Sequence, residues 1–141
     1  MSSNLYTFSS VVLSNIKKFR FESIKSDSLQ ASIYKINKDS YEIEQEEIDD
    51  DDDIDSVELL VEELPDNQPR YIILSYPYKT NDNRLKTPLV LIYWIPPTTS
   101  QQYKMLYAGA VEIFRDKAGV NKLIKIEDEE EFESLDELIK D

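Results

Sequence analysis

The sequence predicts a mixed α/β fold: a five-stranded mixed sheet flanked by helices on both faces. Three observations carry this. Residues 87–95, TPLVLIYWI, are almost continuously apolar, as a central strand buried on both faces requires. Two pairs of strand-like segments follow one another through polar turns, which makes each pair antiparallel. A long amphipathic helix then separates the fourth strand from a short fifth one, and such a crossover sets those two strands parallel.

Each element has a local reason. Ser9 or Ser10 caps a first helix to about Phe21, with Val12, Ile16 and Phe19 on one face and Lys17, Lys18 and Arg20 turned away. Residues 30–36 and 41–48 alternate as strands about the turn Asn37-Lys38-Asp39-Ser40. No glycine stands in that turn, so Asn37 or Asp39 is expected to take any left-handed position. Residues 49–55 read as an acidic linker dispensable for folding. Val57, Leu60, Val61 and Leu64 at i, i+3, i+4, i+7 make a short helix stopped by Pro65. Residues 70–78 form a third strand, 79–86 (KTNDNRLK) a polar loop, and 87–95 the central strand, ended by Pro96-Pro97.

The run Thr98-Thr99-Ser100 with Gln101-Gln102 has the spacing of a capping box for a helix reaching Ala118, and Gly119 closes it. Residues 122–126 are the last strand. Asp128 and Glu131 cap a terminal helix with Phe132, Leu135 and Ile139 as its apolar stripe. One domain over residues 1–141 accommodates all of this.

Composition excludes much chemistry. With no Cys and no His there is no disulfide, thiolate metal site, cysteine nucleophile or imidazole base. Two glycines cannot build a phosphate-cradling loop. The run at 50–53 lacks the alternating ligands and central glycine of a calcium loop, so neither cofactor nor metal is expected. No apolar stretch is long enough to insert in a membrane. The opening residues have neither the basic nor the apolar region of a signal peptide.

The formal charge of −13 is unevenly spread. Residues 42–63 hold 13 acids and no base, and residues 127–141 hold nine acids and one base. The remainder carries seven acids against 15 bases. A mildly basic body with two acidic patches suggests oriented docking on a charged partner. Dispersed bases beside acidic patches argue against nucleic acid.

On the long helix, Leu106, Ala110, Ile113 and Phe114, joined by Tyr103 and Tyr107, form the core face. The opposite side carries Lys104, Ala108, Val111, Glu112 and Arg115, with Gln101 and Met105 at its edges. That flat, partly apolar face suits either docking in a protein cleft or plain solvent contact. Lys104 and Arg115 are expected to be largely exposed. Gly109 costs this helix about 1 kcal/mol relative to alanine and is explained by another element packed closely on it.

Residues 87–114, TPLVLIYWIPPTTSQQYKMLYAGAVEIF, resemble the heart of an actin-depolymerising-factor homology domain, with Lys104-Met105-Leu106-Tyr107-Ala108 as the helix motif. Residues 64–71, 87–94 and 103–110, with the opening Asn4-Leu5-Tyr6 and the basic stretch 16–20, are similar to the glia maturation factor family rather than to cofilins. The resemblance implies a cofilin-like (gelsolin-like) fold. It also implies a non-enzymatic, monomeric protein that binds the actin-related protein 2/3 complex, promotes filament debranching and inhibits branch nucleation. The first actin subunit of the daughter filament is an additional implied partner. The implied location is the cytoplasm, at cortical branched actin networks, with the nucleus left open.

Two contact surfaces carry over. The first comprises Ser2, Ser3, Asn4, Leu5, Lys104, Met105, Ala108, Glu112 and Arg115. The second comprises Lys79, Asn81, Asp82, Arg84 and Lys86 of the polar loop with Glu133 and Glu137 of the terminal helix. Cofilins typically carry a base two positions before the motif lysine, where this chain has Gln102. The alternatives are a cofilin-like protein that binds or severs actin directly, and a hydrolase using acidic residues.

Overall fold

The computed structural model describes residues 5–48 and 54–140. In chain order the elements are β1 (Thr7–Phe8), α1 (Ser10–Ser23), β2 (Gln30–Ile36), β3 (Glu42–Gln45), α2 (Val57–Glu63), β4 (Arg70–Ser75), β5 (Tyr78–Lys79), β6 (Leu85–Lys86), β7 (Leu89–Trp94), α3 (Gln101–Ala118) and β8 (Lys122–Ile126). A 3-10 helix, Glu129–Ser134, then leads into α4 (Leu135–Lys140).

The main sheet is ordered β1-β3-β2-β4-β7-β8. The five expected strands are all present, and Thr7–Phe8 adds a sixth, parallel to β3 at the edge. β7 lies between antiparallel β4 and parallel β8, with Ile92 opposite both Ile72 and Ile124. The nearly unbroken apolar run of β7 therefore serves both faces of the sheet. Leu91 and Tyr93 join one core with α1 and α3; Val90, Ile92 and Trp94 join the other with α2, the 3-10 helix and α4. Each such fully buried aliphatic side chain is worth about 1.5–3 kcal/mol.

The helix starts follow the expected chemistry. Ser9, Ser56 and Ser100 each accept a hydrogen bond from the backbone N–H three residues on. Gly119 ends α3 in the left-handed region at φ 67°. At Ser100 only half of a capping box forms, because the third helical position is Tyr103. At the last helical segment both side chains cap the chain start, each one residue off the reciprocal capping-box pattern: Asp128 accepts from Glu130 N at 3.0 Å, and Glu131 accepts from Glu127 N at 3.0 Å. There the first turns are 3-10 rather than α.

Four expectations change. In the β2–β3 turn it is Tyr41, not Asn37 or Asp39, that has positive φ, at 62°. Asn37 Oδ1 accepts from the amides of Asp39 and Ser40, so the reversal falls at the end of the turn, where the Tyr41 ring rests 5.5 Å from that of Tyr6. The strand at 70–78 stops at Ser75, because Pro77 has no N–H for the ladder. The polar loop is a two-stranded hairpin, β5–β6, with Asn83 left-handed at φ 67°. Of the acidic linker, residues 49–53 lie outside the described residues, but Ile54 is buried in the second core beside α2. The linker as a whole is therefore not without tertiary contacts.

One charged group is buried at the sheet. Arg70, 8% exposed, donates to Glu46 at 3.1 Å, to the Pro69 carbonyl at 2.8 Å and to Gln68 at 3.2 Å. Lys35 meets the other oxygen of Glu46 at 3.1 Å. Burial alone raises the Glu46 pKa, yet the two cations together hold it below its ordinary value.

Candidate partner-binding surfaces

The first surface is built on α3, whose inner residues Leu106, Tyr107, Ala110, Phe114 and Ala118 are buried. The helix is fixed in register by long-range hydrogen bonds. The Tyr107 hydroxyl accepts from Ile36 N at 3.0 Å, and Tyr71 donates to the Tyr107 carbonyl. Burial pushes the Tyr71 hydroxyl far up, so it remains a donor at any ordinary pH. This fixed inner face turns Lys104, Met105, Ala108 and Glu112 outward, all exposed, Met105 at 67%.

Arg115 differs from expectation. Its side chain is only 37% exposed, and its Nη1 is 3.9 Å from Glu112 Oε2. Arg115 lines a shallow depression at the end of the helix with Glu112, Asp116, Gly119, Val120 and Asn121. Val111 likewise packs against the core rather than facing out.

The chain start is pinned to the same helix. Tyr6 donates its hydroxyl to the Leu106 carbonyl at 2.9 Å. A Cβ at position 109 would stand 2.4 Å from that hydroxyl oxygen, so Gly109 is there to admit Tyr6. Leu5, next in the chain, is 51% exposed and held at this end of the surface. Ser2, Ser3 and Asn4 lie outside the described residues.

The second surface is the β5–β6 hairpin and α4. Lys79, Asn81, Asp82, Arg84 and Lys86 are exposed on the hairpin, and Glu133 and Glu137 are exposed at the terminal helical segment. At the tip, Asp82 accepts from Thr80 and pairs with Arg84 at 3.0 Å; the Thr80 hydroxyl first and Arg84 second hold its carboxyl low. Contacts invisible in the sequence join hairpin and helix. Tyr76 donates to Asp136 at 2.6 Å, Asp136 pairs with Lys140 at 3.2 Å, and Lys140 Nζ sits 5.1 Å from the centre of the Tyr78 ring. Burial, then Asp136, pushes the Tyr76 hydroxyl to about 12, while Tyr76 and then Lys140 hold Asp136 below its usual range. Only the Asp136–Lys140 pair, at i and i+4, had a local signal.

Among the described residues, no group of three or more His, Cys, Asp or Glu is placed to hold a metal ion. No helix among them is long and apolar enough to cross a membrane.

Comparison with known proteins places this geometry. Residues 6–140 match the cofilin/tropomyosin-type actin-binding protein family. The chain is 44% identical to Protein AIM7 of Saccharomyces cerevisiae over 149 aligned residues, covering 98% of each. It is 32% identical to glia maturation factor beta of Homo sapiens over 120 residues, covering 85% of this chain and 81% of that one. The solution structure of glia maturation factor from Caenorhabditis elegans superposes with a TM-score of 0.77 at 36% identity, covering 95% of both chains.

The chain belongs to the cofilin/tropomyosin-type actin-binding family, with its glia maturation factor members among its relatives. It is a non-enzymatic protein of the actin cytoskeleton.

Proposed function

We propose that this protein binds the actin-related protein 2/3 complex, dissociates filament branches and inhibits new branch nucleation. The reading treats residues 1–141 as one module acting as a monomer, in the cytoplasm, at cortical branched networks. The observation that carries it is the outward face of α3: exposed Lys104, Met105, Ala108 and Glu112 form a flat, partly apolar strip, and position 102, where cofilins typically carry a base, is an exposed Gln. Without that charge the face is less suited to filament actin and retains the shape for a related cleft.

The first surface, with Arg115 at its margin, engages the complex. The second, on the hairpin and α4, faces the first actin subunit of the daughter filament. Co-sedimentation with the purified complex and, separately, with pure actin filaments tests this. Saturable binding to the complex with weak binding to pure filaments is the expected result. Strong binding to or severing of pure filaments, without binding to the complex, would replace it with the cofilin-like reading.

A further inference from the structure

We propose that Tyr76, Asp136 and Lys140 are positioning residues: they set the angle between the β5–β6 hairpin and α4, and that angle is what the second surface presents to its partner. The inference rests on the reading given above for that surface.

The hairpin is too small to hold its own place. Each strand has two residues, and an isolated two-stranded hairpin is marginal in water. The polar contacts at its tip, Thr80 with Asp82 and Asp82 with Arg84, are internal and fix its shape rather than its direction. Its direction comes from the root. There Tyr76 N donates to the Pro88 carbonyl at 3.1 Å, which closes the base of the hairpin on itself. The Tyr76 hydroxyl instead reaches 60 residues ahead to Asp136. Lys140 then bridges back, pairing with Asp136 and lying over the Tyr78 ring.

α4 is itself a sound anchor, because Leu135 and Ile139 are buried in the second core. Its last turn is also tied to β8 through Lys122 and the Ile139 carbonyl, at 3.5 Å. A rigid helix therefore dictates where a weak hairpin points. The exposed groups on either side, Lys79, Arg84 and Lys86 on one and Glu133 and Glu137 on the other, keep their spacing only while this bridge holds.

The test compares the parent protein with Tyr76→Phe, Asp136→Ala and Asp136→Asn. Tyr76→Phe removes one hydroxyl and keeps the ring. Asp136→Asn keeps an acceptor for that hydroxyl, whereas Asp136→Ala does not. Three quantities are read: affinity for the purified actin-related protein 2/3 complex, the saturating debranching rate, and amide exchange at residues 78–86.

Tyr76→Phe and Asp136→Ala should exchange faster in the hairpin and debranch about fivefold more slowly at saturation, with affinity for the complex unchanged. Asp136→Asn should retain most of the parent rate. Unchanged hairpin exchange in Tyr76→Phe would overturn the proposal, as would equal losses of affinity and rate. If the parent neither binds the complex nor debranches, the functional reading fails by itself, and hairpin exchange still decides whether the Tyr76–Asp136 contact holds the hairpin.

Discussion

At the residue scale, Gly109 and Tyr6 make a pair whose energetics can be separated. An alanine at 109 favours the helix by about 1 kcal/mol but drives its Cβ into the Tyr6 hydroxyl. Displacing Tyr6 loses its hydrogen bond to Leu106 and its contact with Tyr41. Gly109→Ala should therefore destabilise the parent protein, yet stabilise a Tyr6→Ala background by about 1 kcal/mol. Denaturant melts of the four proteins check this change of sign.

Glu46 gives a second residue-scale prediction. Its folded pKa is depressed below the ordinary 4.5 by Lys35 and Arg70 acting against burial. A depressed carboxylate contributes stability that is present above its unfolded pKa and lost as pH falls through the folded one. Stability should thus fall as pH drops below about 4.5, and Glu46→Gln should make that fall shallower while lowering stability at pH 7. Melting temperature against pH, from 3 to 7 for both proteins, measures it.

At the element scale, the parts with local causes were readable and the parts with distant causes were not. β2 and β8 coincide with their expected bounds because alternation and turn residues bracket them. The serine caps and Gly119 are likewise written in a few adjacent residues. By contrast, β1 depends on pairing with β3 and on Thr7 N donating to the Tyr41 carbonyl at 3.1 Å, and Tyr76 at the root of the hairpin meets Asp136, 60 residues ahead. No local pattern encodes such meetings.

On the first surface, Lys104, Met105, Ala108 and Glu112 lie where a helical projection puts them. Arg115 is more buried than projection suggests: its side chain is 37% exposed and pairs with Glu112. Ile54 shows the same limit: residues 49–55 read as a linker dispensable for folding, yet Ile54 is in the core. Ile54→Ala should cost about 2 kcal/mol, at the lower end for a buried isoleucine because it lies at the margin of the core. Chemical denaturation reads this directly, and a cost near zero would return the residue to the linker.

At the scale of the whole molecule, one sheet carries two cores, with a different helix of the proposed surfaces packed on each. α3 packs on one face, and α4 on the other. In the function proposed above, this lets the two surfaces make separate contacts with one assembly, one supplying affinity and the other acting on the branch. Acids are concentrated along the sequence in residues 42–63 and 127–141, and most of the bases lie elsewhere, so on the proposed charged partner association should slow as salt rises.

The most direct measurement is the rate of branch dissociation from preformed branched actin networks, for the parent and for Lys104→Ala/Arg115→Ala. Lys104 is exposed and Arg115 partly packed, so a small loss of stability from Arg115 is expected and is checked by the melting curve. The account predicts that the parent accelerates debranching, and that the double variant, still folded at the assay temperature, binds the complex weakly and debranches slowly. Parent-like binding and debranching by the folded variant at low salt would contradict the account, because the face of α3 would then not be the docking surface.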